Sequence, residues 1–439
     1  MTFRLVYLGF FASLVTLSPS VSADDWPHWM GPSRDNAWRE DGLLEKFPSG
    51  GPKILWRSPV HVGYAGPSVA GGRVFVLDYR SPKKGSPNFE RKKQPGTERV
   101  LCLSESTGKE LWSHEYPVVY SISYPFGPRC TPTVDGDRVY TLGAHGHLFC
   151  FDVKTGKILW SKDFAKGYGA TPALWGYTNH PLVDGDKLIC IVGGNGSHAV
   201  AFDKKSGKEL WRTITAKEQG YCPPVIYEAG GVRQLVLLRA DGLSAVNPET
   251  GKEYWSLPYD ATSGSVIMTP VRHENFLFMG GFSNKNLLVE LDQSAPKAKV
   301  AWRDLRKKAF SAINVQPFLD GKTLYGFGQK GELHAVNLRT GDRLWSSTAP
   351  IDGKRAIQVA TAFIVKATKQ DRFWLFNERG ELIIAQLTRK EYREIDRAKV
   401  IEPTGTAFGR RVVWSAPAFA NRHAYVRNDK EIICVDLSR

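Results

Sequence analysis

The stretch LFCFDVKTGKILW, Leu148 to Trp160, decides the fold. An apolar run ends at Asp152, a Thr-Gly-Lys turn reverses the chain, and a second short run ends at Trp160. The flanks are β-branched and aromatic, as strands require, and the glycine supplies the positive φ of a tight reversal. The unit is a β-hairpin.

Copies of it run along the chain. SESTGKELW ends at Trp112, KKSGKELW at Trp211, PETGKEYW at Trp255 and LRTGDRLW at Trp345. A looser copy, LDQSAPKAKVAW, ends at Trp302, and LTRKEYREI has lost glycine and tryptophan and puts Ile395 in the tryptophan's place. From Trp112 the steps are 48, 51, 44, 47, 43 and 50 residues. Periods of this size, with several strands in each, predict a propeller or an array.

Each period holds two further strands. In CTPTVDGDRVYTLGA (Cys130–Ala144), TPTV is an inner strand, Asp135-Gly136 a turn and RVYTLG the next strand. Equivalent pairs recur often enough to give eight blades. GPKILW (Gly51–Trp56) matches the second half of the hairpin with no first half before it, and EIICVDLSR (Glu431–Arg439) matches the first half with nothing after it. The two ends complement each other. The expected fold is all-β, an eight-bladed propeller of four-stranded antiparallel blades, closed by pairing of the N- and C-terminal strands, which removes exposed sheet edges.

Residues 1–23 read as a secretory signal: Arg4, an apolar run from Leu5 to Leu17, and the small-residue site Val21-Ser22-Ala23. The run is too short to span a membrane. The first cysteine is Cys102, so no lipoprotein anchor follows the signal. The expectation is an exported protein, periplasmic or secreted and not a lipoprotein. Residues 24–50, with Trp26, Trp29 and Trp38, read as a strap packed on the outside of a single propeller domain spanning 51–439. The formal charge of +15 favours anionic partners without bearing on the fold.

Five copies keep glycine and tryptophan in register, and on those residues the chain resembles the PQQ-like (pyrroloquinoline-quinone repeat) propeller family. That family divides into quinoprotein dehydrogenases and non-catalytic members such as the outer-membrane assembly factor BamB. The resemblance implies that Trp56, Trp112, Trp160, Trp211, Trp255, Trp302 and Trp345 dock each blade on its neighbour. It also implies a ligand funnel on the axis, lined by residues at or just before the inner strands: Tyr64, Arg129, Asn179, His180, Tyr221, Met268, Asn314, Gln316, Gln358 and Trp414. This set is polar and aromatic and contains no carboxylate. A quinone dehydrogenase needs a carboxylate base and hard oxygen ligands for Ca²⁺. Glu218 is the one acid nearby in sequence. The adjacent Cys-Cys pair of the dehydrogenases is missing; Cys102, Cys150 and Cys434 occupy a position where other repeats carry Ala201, Ala245 and Ala335. That alternation asks for a small apolar group rather than a bridge.

One insertion stands out. The second and third strands of the first blade are joined through Arg80–Arg99, which holds seven Lys or Arg and two Glu. Lys83, Lys84, Arg91, Lys92 and Lys93 form a basic lip expected on the funnel face. No paired histidines with metal spacing, nucleophile elbow or Walker motif occurs. The function expected is a non-catalytic binding or scaffold propeller of the cell envelope. It would be monomeric, with no catalytic residue, metal or cofactor, and would contact protein or anionic polysaccharide rather than nucleic acid. The alternative is a PQQ-dependent alcohol or sugar oxidoreductase using PQQ with Ca²⁺.

Overall fold

The computed structural model describes residues 24–82, 90–304 and 308–439. The repeated hairpin forms for a local reason. Asp152 Oδ1 accepts from the Lys154 and Thr155 amides at 3.1 and 2.8 Å and from the Thr155 hydroxyl at 2.7 Å, and Gly156 follows at φ +70°. Asp203 with Ser206 and Asp292 with Ser294 repeat the device. These bonds to the ionised carboxylate hold Asp152 and Asp203 below their ordinary pKa.

Each hairpin closes a four-stranded antiparallel sheet, and eight such sheets form the ring. Blades 1 to 7 span 68–120, 133–163, 182–213, 225–258, 271–303, 318–347 and 362–399. Blade 8 takes three strands from 418–436 and its outermost from Ile54–Pro59, which pairs antiparallel with Glu431–Asp436. Trp56 faces Cys434 in that register. The ring is therefore closed by the two ends of the chain.

The outer strands share an irregularity. Between Ile158 and Trp160 the register shifts by a bulge, so that Trp160 faces Cys150; the same bulge puts Trp112 opposite Cys102, Trp211 opposite Ala201 and Trp345 opposite Ala335. The small residue makes room for the indole. The indole leans on the next blade and donates Nε1–H to a carbonyl at its hairpin turn: Trp56 to Glu105 at 2.7 Å, Trp112 to Val153 at 3.0 Å, Trp160 to Lys204 at 3.2 Å and Trp211 to Pro248 at 3.1 Å. Trp302 and Trp345 do the same to Arg339 and Thr388, both at 2.9 Å. Trp255 differs: it donates to Gln234 of its own blade at 2.7 Å. The turn glycine is needed twice over, because a Cβ on Gly156 would lie 2.5 Å from the Trp112 ring.

Blade 7 corrects the sequence reading. The register puts Asp396, not Ile395, opposite Ile384 in the tryptophan's place; Ile395 is the bulged residue. The Asp396 carboxylate accepts from the Phe47 amide at 2.8 Å, and the Phe47 ring packs edge-on against Trp374, 5.9 Å between centroids. The incoming N-terminal segment thus fills the seam between blades 7 and 8, where an indole would stand.

That segment also departs from the expected outside strap. It crosses the end of the central channel on the side of the hairpin turns. Trp26 exchanges backbone hydrogen bonds with Val69 of blade 1, Pro27 accepts from Val134 of blade 2, and Arg34 donates to Pro181 beside blade 3. Ala37–Trp38 then adds a short parallel strand to the inner edge of blade 7. The inner strands of an eight-bladed ring leave an open hole, and their unpaired edges take this segment as a partner. Trp26 and Trp38 are buried against Phe419 of blade 8.

Blade 1 is taller than its neighbours. Its strands Arg73–Arg80, Gln94–Ser104 and Glu110–Tyr120 run for 8, 11 and 11 residues. Part of the expected insertion is therefore strand. The buried carboxylate of Glu98 anchors this extension, accepting from the hydroxyls of Tyr116 and Tyr120 and from the Ala144 amide at 3.0 Å.

Candidate functional site: an axial funnel

On the axis, at the end away from the hairpin turns, lies a cavity of about 520 Å³. This is within the usual range of ligand pockets, roughly 300–1,000 Å³. Its walls come from the links between blades. Tyr64, Arg129, His180, Tyr221, Met268, Asn314, Gln316, Gln358 and Trp414 all line it. Asn179 does not: its amide is buried in the wall and donates to the Gly220 and Cys222 carbonyls at 3.4 and 3.0 Å.

Arg129 is the cation of this site. Its guanidinium sits over the Tyr64 ring, 5.1 Å from the centroid. It donates to the carbonyls of Gly127, Ser123 and Tyr124, the last two at 3.1 and 2.6 Å. A guanidinium has five N–H groups, so these bonds position it without exhausting it. No carboxylate pairs with it among the described residues. Burial lowers its pKa, an effect opposed by the electrostatic influence of Tyr64, Tyr120 and Glu98.

His180 is almost fully buried, and its Nδ1 accepts from the Thr131 amide at 3.0 Å. Burial and the nearby Arg34 hold the ring neutral, well below its ordinary pKa. Trp29 stacks on this imidazole and is the floor of the cavity.

The rest of the lining divides in two. Tyr124, Trp175, Phe408 and Trp414 join Tyr64 and Tyr221 in an aromatic wall, with Trp175 and Tyr221 5.2 Å apart and Phe408 6.2 Å from Trp414. Opposite stand Ser263, Ser265, Asn314 and Gln358 on the links flanking blades 5 to 7. Phe408 is the tip of a hairpin, Gly405–Ala407 and Arg410–Val412, inserted between blades 7 and 8. The buried carboxylate of Glu378 clamps this hairpin, accepting twice from Arg410 and once from Trp414 Nε1 at 3.0 Å. Tyr124, Trp175 and Phe408 escaped the sequence reading because they lie inside the links, away from the strand starts. The aromatic residues of the link sequences were the signal for them.

Of the basic lip, Lys83 and Lys84 lie outside the described residues. Arg91 bends over the mouth and donates to the Pro172 carbonyl at 3.0 Å, while Lys92 pairs with Glu90. Lys93 is exposed.

A metal–quinone pair does not fit these residues. No carboxylate lines the cavity among the described residues, and Glu218 stands behind Tyr221, whose hydroxyl is 3.5 Å from it. The Gln316 amide is spent on both backbone groups of Thr269, at 2.8 and 2.9 Å. Neither a base nor a charged oxygen set for Ca²⁺ is at hand. The six cysteines are buried and unpaired, and burial pushes the thiols of Cys102, Cys150 and Cys434 up to about 12. Among the described residues no helix is long and apolar enough to cross a membrane.

Comparison with known proteins agrees with this architecture. The chain is 31% identical over 173 residues to the quinohemoprotein alcohol dehydrogenase ADH IIB of Pseudomonas putida, covering 36% of this chain and 22% of that protein. It is 23% identical over 273 residues to the outer membrane protein assembly factor BamB of Yersinia pestis, covering 57% and 62%. The matches thus span well under the full length of these relatives. The crystal structure of BamB from Moraxella catarrhalis superposes with a TM-score of 0.57 at 14% identity, over 88% of this chain and 99% of that one. The family model described as outer membrane protein assembly factor BamB matches residues 96–347 and 276–439. With that match over most of its length, the chain belongs to this family of PQQ-like propellers.

Proposed function

We propose that this protein is an exported, non-catalytic binding propeller of the cell envelope, and that its funnel takes the acidic sugars of an anionic polysaccharide. The observation that carries this reading is Arg129: a guanidinium held by backbone carbonyls, free of any carboxylate partner among the described residues, in a wall of aromatic rings. Such a cation offers charge-assisted hydrogen bonds to a carboxylate. The rings of Trp175, Tyr221 and Trp414 offer flat apolar faces to pyranose C–H groups. Arg91 at the mouth adds charge that speeds the approach of an anion and makes it salt-dependent.

The test is calorimetric titration with oligogalacturonates, against neutral cello-oligosaccharides of equal length. Acidic oligomers bind and neutral ones bind at least tenfold more weakly; Arg129→Gln abolishes the difference. Equal binding of both series, or none, refutes the reading. Titration with PQQ and Ca²⁺ is the companion experiment: stoichiometric uptake with dye-linked alcohol oxidation would establish the oxidoreductase instead.

A second reading, a protein partner, is favoured by one observation. Leu55, Leu111, Leu159 and Leu210, the residues just before the docking tryptophans, are exposed by 40–49% on the outer strands of blades 8, 1, 2 and 3. A row of apolar side chains on adjacent blades suits a protein surface. The relatives named for outer-membrane protein assembly give this reading its precedent. Replacing the four leucines with Ser leaves oligogalacturonate binding intact and abolishes crosslinking to a partner protein, if this rim is the docking site.

A further inference from the structure

Among the described residues the funnel narrows to a closed end at Trp29. Below Trp29 the axial space shrinks to a void of about 10 Å³, lined by Trp26, Met30, Asn36 and Pro417. That is about the volume needed for one water. The residues that close the channel are held on several sides. Trp26 is tied to blade 1, Pro27 to blade 2, Arg34 to the start of blade 3, and Asn36 and Trp38 accept from the Lys366 and Thr368 amides of blade 7, at 3.0 and 2.9 Å. Trp29 rests on His180, which is fixed through Thr131. The segment on either side of Trp29 is thus tied to blades 1, 2 and 7 by backbone hydrogen bonds, and Trp29 itself is held by its stack on His180.

The mouth is not a level groove. The tall strands of blade 1 stand on one side, and the 405–412 hairpin, clamped by Glu378, stands beside them over the aromatic wall. An internal segment of a polymer has to enter and leave a site along a path open at both ends. Among the described residues this cavity is walled on one side of the rim and blind at the bottom.

Resting on the binding role above, we infer that the funnel captures the terminus of an acidic polysaccharide, end on, with the last sugar against Trp29. The geometry supplies each contact. The indole of Trp29 presents a flat face at the bottom, with its other face taken by the imidazole. Arg129 in the wall takes the carboxylate of a terminal or penultimate uronate. Asn314 and Gln358 line the opposite wall and give the sugar a polar side to face. A chain that ends in the funnel reaches the Trp29 indole; a chain lying across the rim does not.

The experiment uses galacturonate oligomers of one to eight residues and long polygalacturonate. With a blind funnel, affinity rises over the first two or three residues and is then flat. The number of protein molecules bound per milligram of polymer follows the number of chain ends, and doubles when the polymer is cut to half its mean length. A bulky fluorophore on one end of the trimer lowers affinity at least tenfold, while the same group on the other end has little effect. Trp29→Phe, chosen because it keeps an aromatic ring on His180 where Trp29→Ala risks the fold, weakens the trimer several-fold while the protein still melts in one cooperative transition. Affinity that keeps climbing with length, binding that follows polymer mass, or indifference to both end labels overturns end-on capture and leaves the binding role standing. Absence of binding to every oligomer overturns the binding role itself, and this inference with it.

Discussion

Trp29 and His180 lie ring on ring, 4.4 Å between centroids and 4° from parallel. One comes from the N-terminal segment and the other from the link into blade 3, so the stack fastens the segment to the ring. Trp29 is half-buried and Trp38 is 1% exposed. Truncating a buried tryptophan costs about 3–5 kcal/mol, and a partly exposed one less. Urea unfolding of Trp38→Ala should show a loss of about 4 kcal/mol, and Trp29→Ala one of about 2 kcal/mol. Equal losses would mean that the floor of the funnel is as much a part of the core as Trp38.

The two chain ends make a second prediction. The strand Glu431–Asp436 lies between His423–Arg427 and Ile54–Pro59, and its removal strands the outer strand of blade 8. Deleting 431–439 opens the ring at one seam and leaves sheet edges free to pair with other molecules. Light scattering should show aggregation, and the melting temperature should fall by more than 10 °C. A truncated chain that melts like the parent would contradict closure through this pair.

Two turn glycines separate backbone strain from packing. Gly156 has φ +70° and lies under Trp112, whereas Gly185 has φ +56° and nothing within 4 Å of a built Cβ. An alanine at positive φ costs about 1 kcal/mol, and overpacking adds about 1–3 kcal/mol. Gly185→Ala should therefore lose about 1 kcal/mol in chemical denaturation and Gly156→Ala about 3 kcal/mol. If both lose the same amount, the indole moves aside freely and the glycine serves the turn alone.

Acid sensitivity follows from the buried imidazoles. Burial, with Arg239 nearby, pushes the pKa of His198 down to about 3, from an ordinary value of 6.5. His334 is likewise down at about 3 and His145 at about 4. In the window between 6.5 and these values the unfolded chain binds protons that the folded one refuses. Stability is thus full above 6.5 and falls as the pH drops toward 3. Each such group steepens the fall by up to about 1.4 kcal/mol per pH unit. Unfolding free energy measured from pH 7 to 4.5 should decline, and His198→Leu should flatten the slope by about one proton. An unchanged slope would show that His198 is not held neutral.

The sequence by itself determined the repeat, the antiparallel blades, their number and the closure of the ring. Those features rest on local chemistry that recurs within one period: an acid capping its own turn, a glycine at positive φ, a period-2 strand, and two half-hairpins at the chain ends that each lack what the other supplies. Funnel positions next to inner strands were legible for the same reason, since a strand's start fixes where its first side chains stand. The tertiary structure alone decided what depends on partners hundreds of residues apart. It put Asp396 rather than Ile395 in the blade 7 seam, because the amide of Phe47 arrives there. It turned Asn179 into the wall, because the Gly220 and Cys222 carbonyls lie behind it. It carried Trp29 across the axis to His180, because the open centre of an eight-bladed ring leaves inner strand edges that only a passing segment can pair. No periodicity records such contacts, for each occurs once and joins the repeats to a stretch that does not repeat.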